Sequence, residues 1–235
     1  GNEDAIKEAA EGCPVSVNIP SFIQKVKEGD IQAAGEIIRT SNMLPSVCGR
    51  VCPQERQCES KCILGIKGQS VAIGALERYV GDNSAPKRVE IKENRRKVAI
   101  VGSGCAGMSA AADLRNAGFE VSVFEALHEL GGVLRYGIPP FRLPRTFLDR
   151  EIEVLKEIGV KFFKNVIVGK SITLNQLKEE GYDAIFICSG AGLPKMLGVP
   201  GENLNGVYSA NEFLTRVNLM HANDKNSPTP LKVGK

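Results

Sequence analysis

Histidine is nearly missing from this sequence: His128 and His221 are the only two. A mechanism built on a histidine base, or a histidine-rich metal centre, has almost no material here. Both histidines read as surface residues with no catalytic role. Strong net charge is also missing. The formal charge is +3 over 235 residues, which implies neither nucleic acid nor an anionic membrane as partner. The densest basic stretch runs from Lys87-Arg88 through Arg95-Arg96-Lys97, but Glu90 and Glu93 interrupt it, so it reads as a solvated linker. No apolar run approaches the ~20 residues that span a bilayer. No secretory signal is visible at the N-terminus, and a cytoplasmic location is the expectation. There is no internal repeat.

What the sequence does contain is glycine at a telling spacing. Val98 to Val101 is a short apolar run suited to a buried parallel strand. It leads into Gly102-x-Gly104-x-x-Gly107, an alanine-rich helical stretch ending at Gly118, and a second apolar run, Val121 to Phe124, that closes on Glu125. Strand, glycine turn, helix, strand and acid follow in the order of a dinucleotide-binding βαβ unit. Gly102 permits the tight turn, Gly104 lets a pyrophosphate approach the backbone, and Gly107 lets the helix lie close to the strand. The helix N-terminus offers free N–H groups to phosphate. Glu125 follows Gly107 by 18 residues, where a carboxylate can accept hydrogen bonds from a ribose. That ribose suits FAD or NAD(H) equally on this reading.

Seven cysteines are present, and four of them, Cys48, Cys52, Cys58 and Cys62, are separated by three, five and three residues. This spacing is too close for independent disulfides and differs from the paired spacing of zinc ribbons. Cys13 and Cys52 are each followed by proline, a feature of bacterial iron–sulfur sequences. An iron–sulfur centre is the first reading; zinc or buried structural cysteines are the alternatives. Cys105 reads as a small filler within the glycine turn and Cys188 as a core residue at a strand end.

Residues 1–95 read as a compact helical domain. Helices are expected over 5–10, 21–27, 31–40 (capped by Asp30) and 70–80. Residues 96–235 read as α/β. After Glu125 comes a glycine- and proline-rich loop from Gly131 to Pro144, then a helix over 145–158. Strands are expected over 160–163 and 166–168, and a buried one over 184–188. Thr173 and Gln176 form a capping box. A short strand over 206–208 and a helix over 210–220 follow.

The ordered set of Gly12-Cys13-Pro14, Asn18-Ile19-Pro20, Cys48-Gly-x-x-Cys52-Pro, Cys58, Cys62, the glycine fingerprint, Gly131-Gly132 and Gly137-Ile-Pro-x-x-Arg142-Leu-Pro144 resembles the small-subunit family of bacterial glutamate synthase. That family includes the N-terminal region of dihydropyrimidine dehydrogenase and the flavin subunit of NADH-dependent ferredoxin:NADP oxidoreductase. The resemblance implies an α plus α/β fold: a helical domain with two 4Fe-4S clusters, then a Rossmann-like FAD-binding domain with a parallel sheet, and a further NAD(P)H domain. It implies Cys13, Cys52, Cys58 and Glu77 as ligands of one cluster and Cys62 as a ligand of the other, with Cys48 in the motif but not required to bind iron. It implies FAD contacts at Gly102, Ser103, Gly104, Cys105, Ala106, Gly107, Glu125, Ala126, Gly131, Gly132, Arg142 and Val168, and a nucleotide-contacting turn at Gly190 and Ala191. The family has three further cysteines ahead of the position of Cys13, which Ala5 to Glu11 does not supply, so Cys62 is expected to lack a complete ligand set. The chain is expected to be a fragment ending where the NAD(P)H domain would begin, without the final FAD-binding stretch that follows that domain, so FAD is expected to bind weakly.

The implied activity is electron transfer from NAD(P)H through FAD to a 4Fe-4S cluster and on to a partner redox subunit, either a glutamate synthase large subunit or a ferredoxin-linked one. The rivals are a docking module whose cofactors are structural and an NAD(H)-binding Rossmann dehydrogenase.

Overall fold

The computed structural model describes residues 12–87 and 90–231 of the chain. The helix expected over 5–10 lies outside the described residues. The chain divides into two compact units, Gly1–Glu90 and Ile91–Lys235.

In the first unit, Ile19–Glu28 forms α1 and Ile31–Arg39 forms α2. The Asn18 carboxamide accepts from Ser21 N at 3.2 Å, and the Asp30 carboxylate accepts from Ala33 N at 3.0 Å. Each cap satisfies a donor that the first helical turn leaves open. Gly29 separates the two helices at φ 81°, a left-handed value that glycine adopts without strain. Pro45–Val51 forms α3, three single 3₁₀ turns cover 54–66, and Ile73–Asn83 forms α4. The core gathers Val17, Ile19, Phe22, Ala34, Ile38, Ile73 and Val80.

Two glycines set the approach of α3 to α4. A Cβ at Gly49 would stand 2.4 Å from Arg78 N, and one at Gly81 would stand 2.6 Å from Ser46 N. The two backbones therefore touch, and this contact brings the neighbours of those residues, Cys48 and Glu77, into one region. Arg50 locks the pair from beneath. Its guanidinium donates to both oxygens of Asp82 at 2.7 and 2.6 Å, with its side chain 3% exposed.

In the second unit, Lys97–Val101 (β1), Glu120–Phe124 (β2), Lys161–Phe163 (β3) and Ala184–Ile187 (β4) form one parallel sheet in the order β3-β2-β1-β4. Cys105–Asn116 (α5) connects β1 to β2 and buries Met108, Ala111 and Ala112. Small alanines let the helix lie close to the sheet, whose β1 and β2 interiors are fully apolar apart from Ser122. Val133–Tyr136 (α6), Arg145–Glu157 (α7), Leu174–Glu179 (α8) and Ala210–Asn218 (α9) complete the unit. The capping box at Thr173 and Gln176 is formed as expected. Among the described residues no helix is long and apolar enough to cross a membrane.

Three local expectations are corrected, and one helix is new. Residues 166–168 add no strand to the sheet; Val168 makes one isolated bridge to Ile172, and Gly169 at φ 92° turns the chain away. Residues 206–208 are a turn and coil, not a strand. The strand at 184–187 is an edge rather than buried: Phe186 is 44% exposed and Ile187 60%. Finally, α3 was not expected at all.

Candidate functional site

The glycine loop of the second unit is built by steric exclusion on one side and openness on the other. A Cβ at Gly102 would meet Cys188 O at 2.6 Å, and one at Gly107 would meet Gly102 O at 2.0 Å. Neither position admits a side chain. At Gly104 nothing lies within 4 Å. Packing within the chain therefore does not demand glycine there. Behind it, α5 begins with no side-chain cap, which leaves first-turn N–H donors that a phosphate would satisfy.

Glu125 directly follows β2 and is 5% exposed. Its Oε2 accepts from Ser103 N at 2.9 Å and from Ser103 Oγ at 2.5 Å, and its Oε1 accepts from Leu127 N at 2.9 Å. Ser103 Oγ accepts in turn from Gly131 N at 3.0 Å. A Cβ at Gly132 would stand 2.8 Å from Gly104 Cα, so the second glycine pair abuts the first. The structure thus brings together Gly102, Ser103, Gly104, Cys105, Ala106, Gly107, Glu125, Ala126, Gly131 and Gly132. Val168 packs against the Ala99, Phe124 and Leu177 cluster, and Val166 N donates to Glu125 O at 2.9 Å, which runs this segment past the same strand end. Gly190 and Ala191 follow Cys188, whose N–H donates to Val101 O at 2.9 Å. Arg142 is exposed, and its side chain joins none of these groups.

Arg145 was not singled out from sequence. It stands at the start of α7, where a cation opposes the helix dipole, and its guanidinium instead donates to Leu134 O, Arg135 O and Ile138 O at 2.8, 2.5 and 2.8 Å. It pins the loop that follows Gly132. The misplacement of a positive charge at a helix start was the one local sign available.

The second site belongs to the first unit. Cys48 lies on α3, Cys52 ends it, and Cys58 and Cys62 flank a 3₁₀ turn over 59–61. Cys13 and Cys58 both pack on the apolar core. All seven cysteines are free thiols. Glu77 is buried on α4 and accepts from Asn42 Nδ2 at 2.7 Å. Burial raises its carboxyl to about 7. The charge of Glu77 acts on Cys48, Cys52 and Cys58, and that of Cys13 on Cys58. A hydrogen bond to Cys52 and burial push the Cys48 thiol up, and the same bond holds Cys52 down. Burial pushes Cys58 up to about 11.

Cys62 is not among the groups on which Glu77 acts. Its sulfur accepts from Val71 N at 3.5 Å, and backbone donors, Val71 foremost, hold its thiol down. Among the described residues no three His, Cys, Asp or Glu groups lie close enough to hold a single metal ion. A four-iron cluster takes its ligands from farther apart, on several short turns. Its fit here rests on the donor set: Cys48, Cys52 and Cys58 all lie within the electrostatic reach of the buried Glu77 carboxyl, and Cys13 within that of Cys58.

Comparison with known proteins matches residues 5–89 to the family described as "Dihydroprymidine dehydrogenase domain II, 4Fe-4S cluster". Residues 96–228 match the family described as "Pyridine nucleotide-disulphide oxidoreductase". The chain is 41% identical over 209 residues to the glutamate synthase [NADPH] small chain of Halomonas elongata, covering 86% of this chain and 44% of that one. It is 39% identical over 198 residues to the NADPH-Fe(3+) oxidoreductase subunit beta of Geobacter sulfurreducens, covering 81% and 29%. Among solved structures, FprA from Mycobacterium tuberculosis in complex with NADPH is 32% identical, with a TM-score of 0.48 over 52% of this chain and 28% of that one. The chain spans less than half the length of these relatives.

Proposed function

The chain belongs to the pyridine nucleotide-disulphide oxidoreductase family, and from that premise we propose that it is the cofactor-holding part of an NAD(P)H-dependent electron-transfer flavoprotein of the glutamate synthase small-subunit type. In this reading residues 1–95 are a helical iron–sulfur domain and residues 96–235 are the N-terminal portion of an FAD-binding domain. A bound flavin would supply hydride acceptance from NAD(P)H and release of single electrons, and a bound cluster would supply one-electron transfer.

The residues of the chain bind and orient. Gly104 and the first turn of α5 receive the pyrophosphate. Ser103 and Glu125 hold the loop in register with Gly131 and Gly132, and the free lone pairs of Glu125, with Ala126 beside it, face the ribose. Cys105 and Ala106 supply N–H groups to the phosphates. Arg142, Val168, Gly190 and Ala191 complete the nucleotide contacts. Cys13, Cys52, Cys58 and Glu77 hold the iron, and Cys62 stands outside that set. No side-chain acid or nucleophile is needed, in keeping with two histidines in the whole chain. The electrons leave to a partner redox subunit, a glutamate synthase large subunit or a ferredoxin-linked one, in the cytoplasm.

The observation that carries this reading is the open face of Gly104 before an uncapped helix. The test is spectroscopic. The chain is supplied with FAD, iron and sulfide under anaerobic conditions, desalted, and its absorbance, released nucleotide and iron are measured. About four irons per chain are expected, with weak FAD bands that strengthen when the chain is extended to its relatives' length. A colourless protein with neither flavin nor iron would favour a docking module, and about eight irons would show that Cys62 has a full ligand set.

A further inference from the structure

Asn42 lies between α2 and α3, 8% exposed, and its side chain is used at both ends. Its Oδ1 accepts from Leu44 N at 2.9 Å and lies 3.5 Å from the Cys48 sulfur. Its Nδ2 donates to Glu77 Oε1 at 2.7 Å. A backbone N–H can only donate, so the bond from Leu44 fixes which end of the carboxamide is oxygen. The amide therefore cannot flip without losing that bond, and it presents N–H to Glu77. We propose that Asn42 is a positioning residue for the iron–sulfur centre: it engages Glu77 Oε1, so that Oε2 is the oxygen left available to iron, and it bridges the carboxyl to Cys48 on the helix that delivers Cys52.

The proposal rests on the reading of Glu77 as a cluster ligand, and it assigns a role which that reading does not contain. A carboxylate ligating through one oxygen is oriented by what its other oxygen accepts. An N–H donor on Oε1 also withdraws electron density from the carboxylate, making it a weaker donor to iron. Removing the N–H strengthens the donation and favours the oxidised cluster. The expected result is a shift of the reduction potential to more negative values.

The experiment compares the 235-residue chain with Asn42→Ala and Asn42→Ser after anaerobic reconstitution, by iron content, EPR of the reduced cluster and a redox titration. Asn42→Ser keeps a neutral oxygen acceptor for Leu44 N two residues on and is too short to donate to Glu77, so it separates positioning from the local turn without adding charge. Each variant is repeated in a Glu77→Cys background, where a route through the carboxylate no longer exists. Supporting the role are retained iron, altered g-values and a lower potential in both Asn42 variants, with the shift lost in the Glu77→Cys background. Unchanged spectra and potential in iron-loaded variants overturn it and leave the ligand assignment standing. A shift that persists with Glu77→Cys also overturns it, because Asn42 would then act by another path. An unsubstituted chain that takes up no iron overturns the ligand assignment and the role together.

Discussion

The hydroxyl of Ser103 donates to Glu125 across 2.5 Å while the backbone N–H of the same serine donates to the same oxygen at 2.9 Å. The acid at the end of β2 is thus a brace for the glycine turn before it meets any nucleotide. Removing it should damage the loop as well as the ligand contact. Glu125→Ala leaves two backbone N–H groups, of Ser103 and Leu127, without their acceptor, each worth about 1–3 kcal/mol when buried. Thermal unfolding should show the loss without FAD, and an FAD titration should show a further fall in affinity. Equal affinities with and without the carboxylate would remove Glu125 from the nucleotide site.

Gly104 and Gly107 separate binding from folding. Gly104 has an extended backbone, at φ −68° and ψ −175°, which alanine adopts, and open space where a Cβ would go. Gly104→Ala should change stability by no more than about 0.5 kcal/mol yet weaken FAD binding about tenfold or more, as a methyl group takes the phosphate's place. Gly107→Ala puts a Cβ 2.0 Å from Gly102 O and should cost about 3 kcal/mol of stability. Thermal melts and FAD titrations of the two variants check both outcomes; a Gly104→Ala protein with unimpaired binding would place the phosphate elsewhere.

Much of this site was legible because its signals are local. The glycine turn, both flanking strands and the acid lie within a single stretch, 97–125, and the caps at Asp30 and Thr173 depend on residues within one helical turn. The helix α3 is hidden in the sequence because a proline ordinarily reads as a helix stop. At the first position of a helix proline lacks only an N–H that has no partner there anyway, and Pro45 opens α3. Asn42 was missed for another reason. Its partner Glu77 is 35 residues away, and only the contact of Gly49 and Gly81 with the facing backbones brings the two segments together. The exposure of β4 was equally invisible, since an apolar run reads alike at the centre and the edge of a parallel sheet.

The Arg50 and Asp82 pair supports the same helix contact. Arg50 is 6% exposed, and truncating one partner of such a pair leaves the other charge buried, at about 3–5 kcal/mol. Asp82→Ala should lower the unfolding temperature of the chain and, by loosening α3 against α4, reduce iron retention after desalting. Asp82→Glu, which keeps the charge on a longer stem, should recover part of both.

Glu77 gives the iron-free chain a pH signature. Burial raises its carboxyl from the ordinary 4.5 to about 7, so between those values the native state holds a proton that the unfolded state has released. Stability then falls as pH rises. The stabilising difference is fully present below about 4.5, is lost through the window, and is gone above about 7. At about 1.4 kcal/mol per pKa unit the full change is roughly 3 kcal/mol. Other carboxylates run the opposite way: Arg115 holds Glu93 below its ordinary value and Lys161 does the same to Glu120. The quantity to measure is therefore a difference. Urea unfolding of the iron-free chain and of Glu77→Gln, from pH 4.5 to 7.5, should give a gap that widens with pH in favour of the glutamine variant, since a neutral amide has no proton to lose. A constant gap across the window would mean that Glu77 titrates as it does in water and is not desolvated in the native chain.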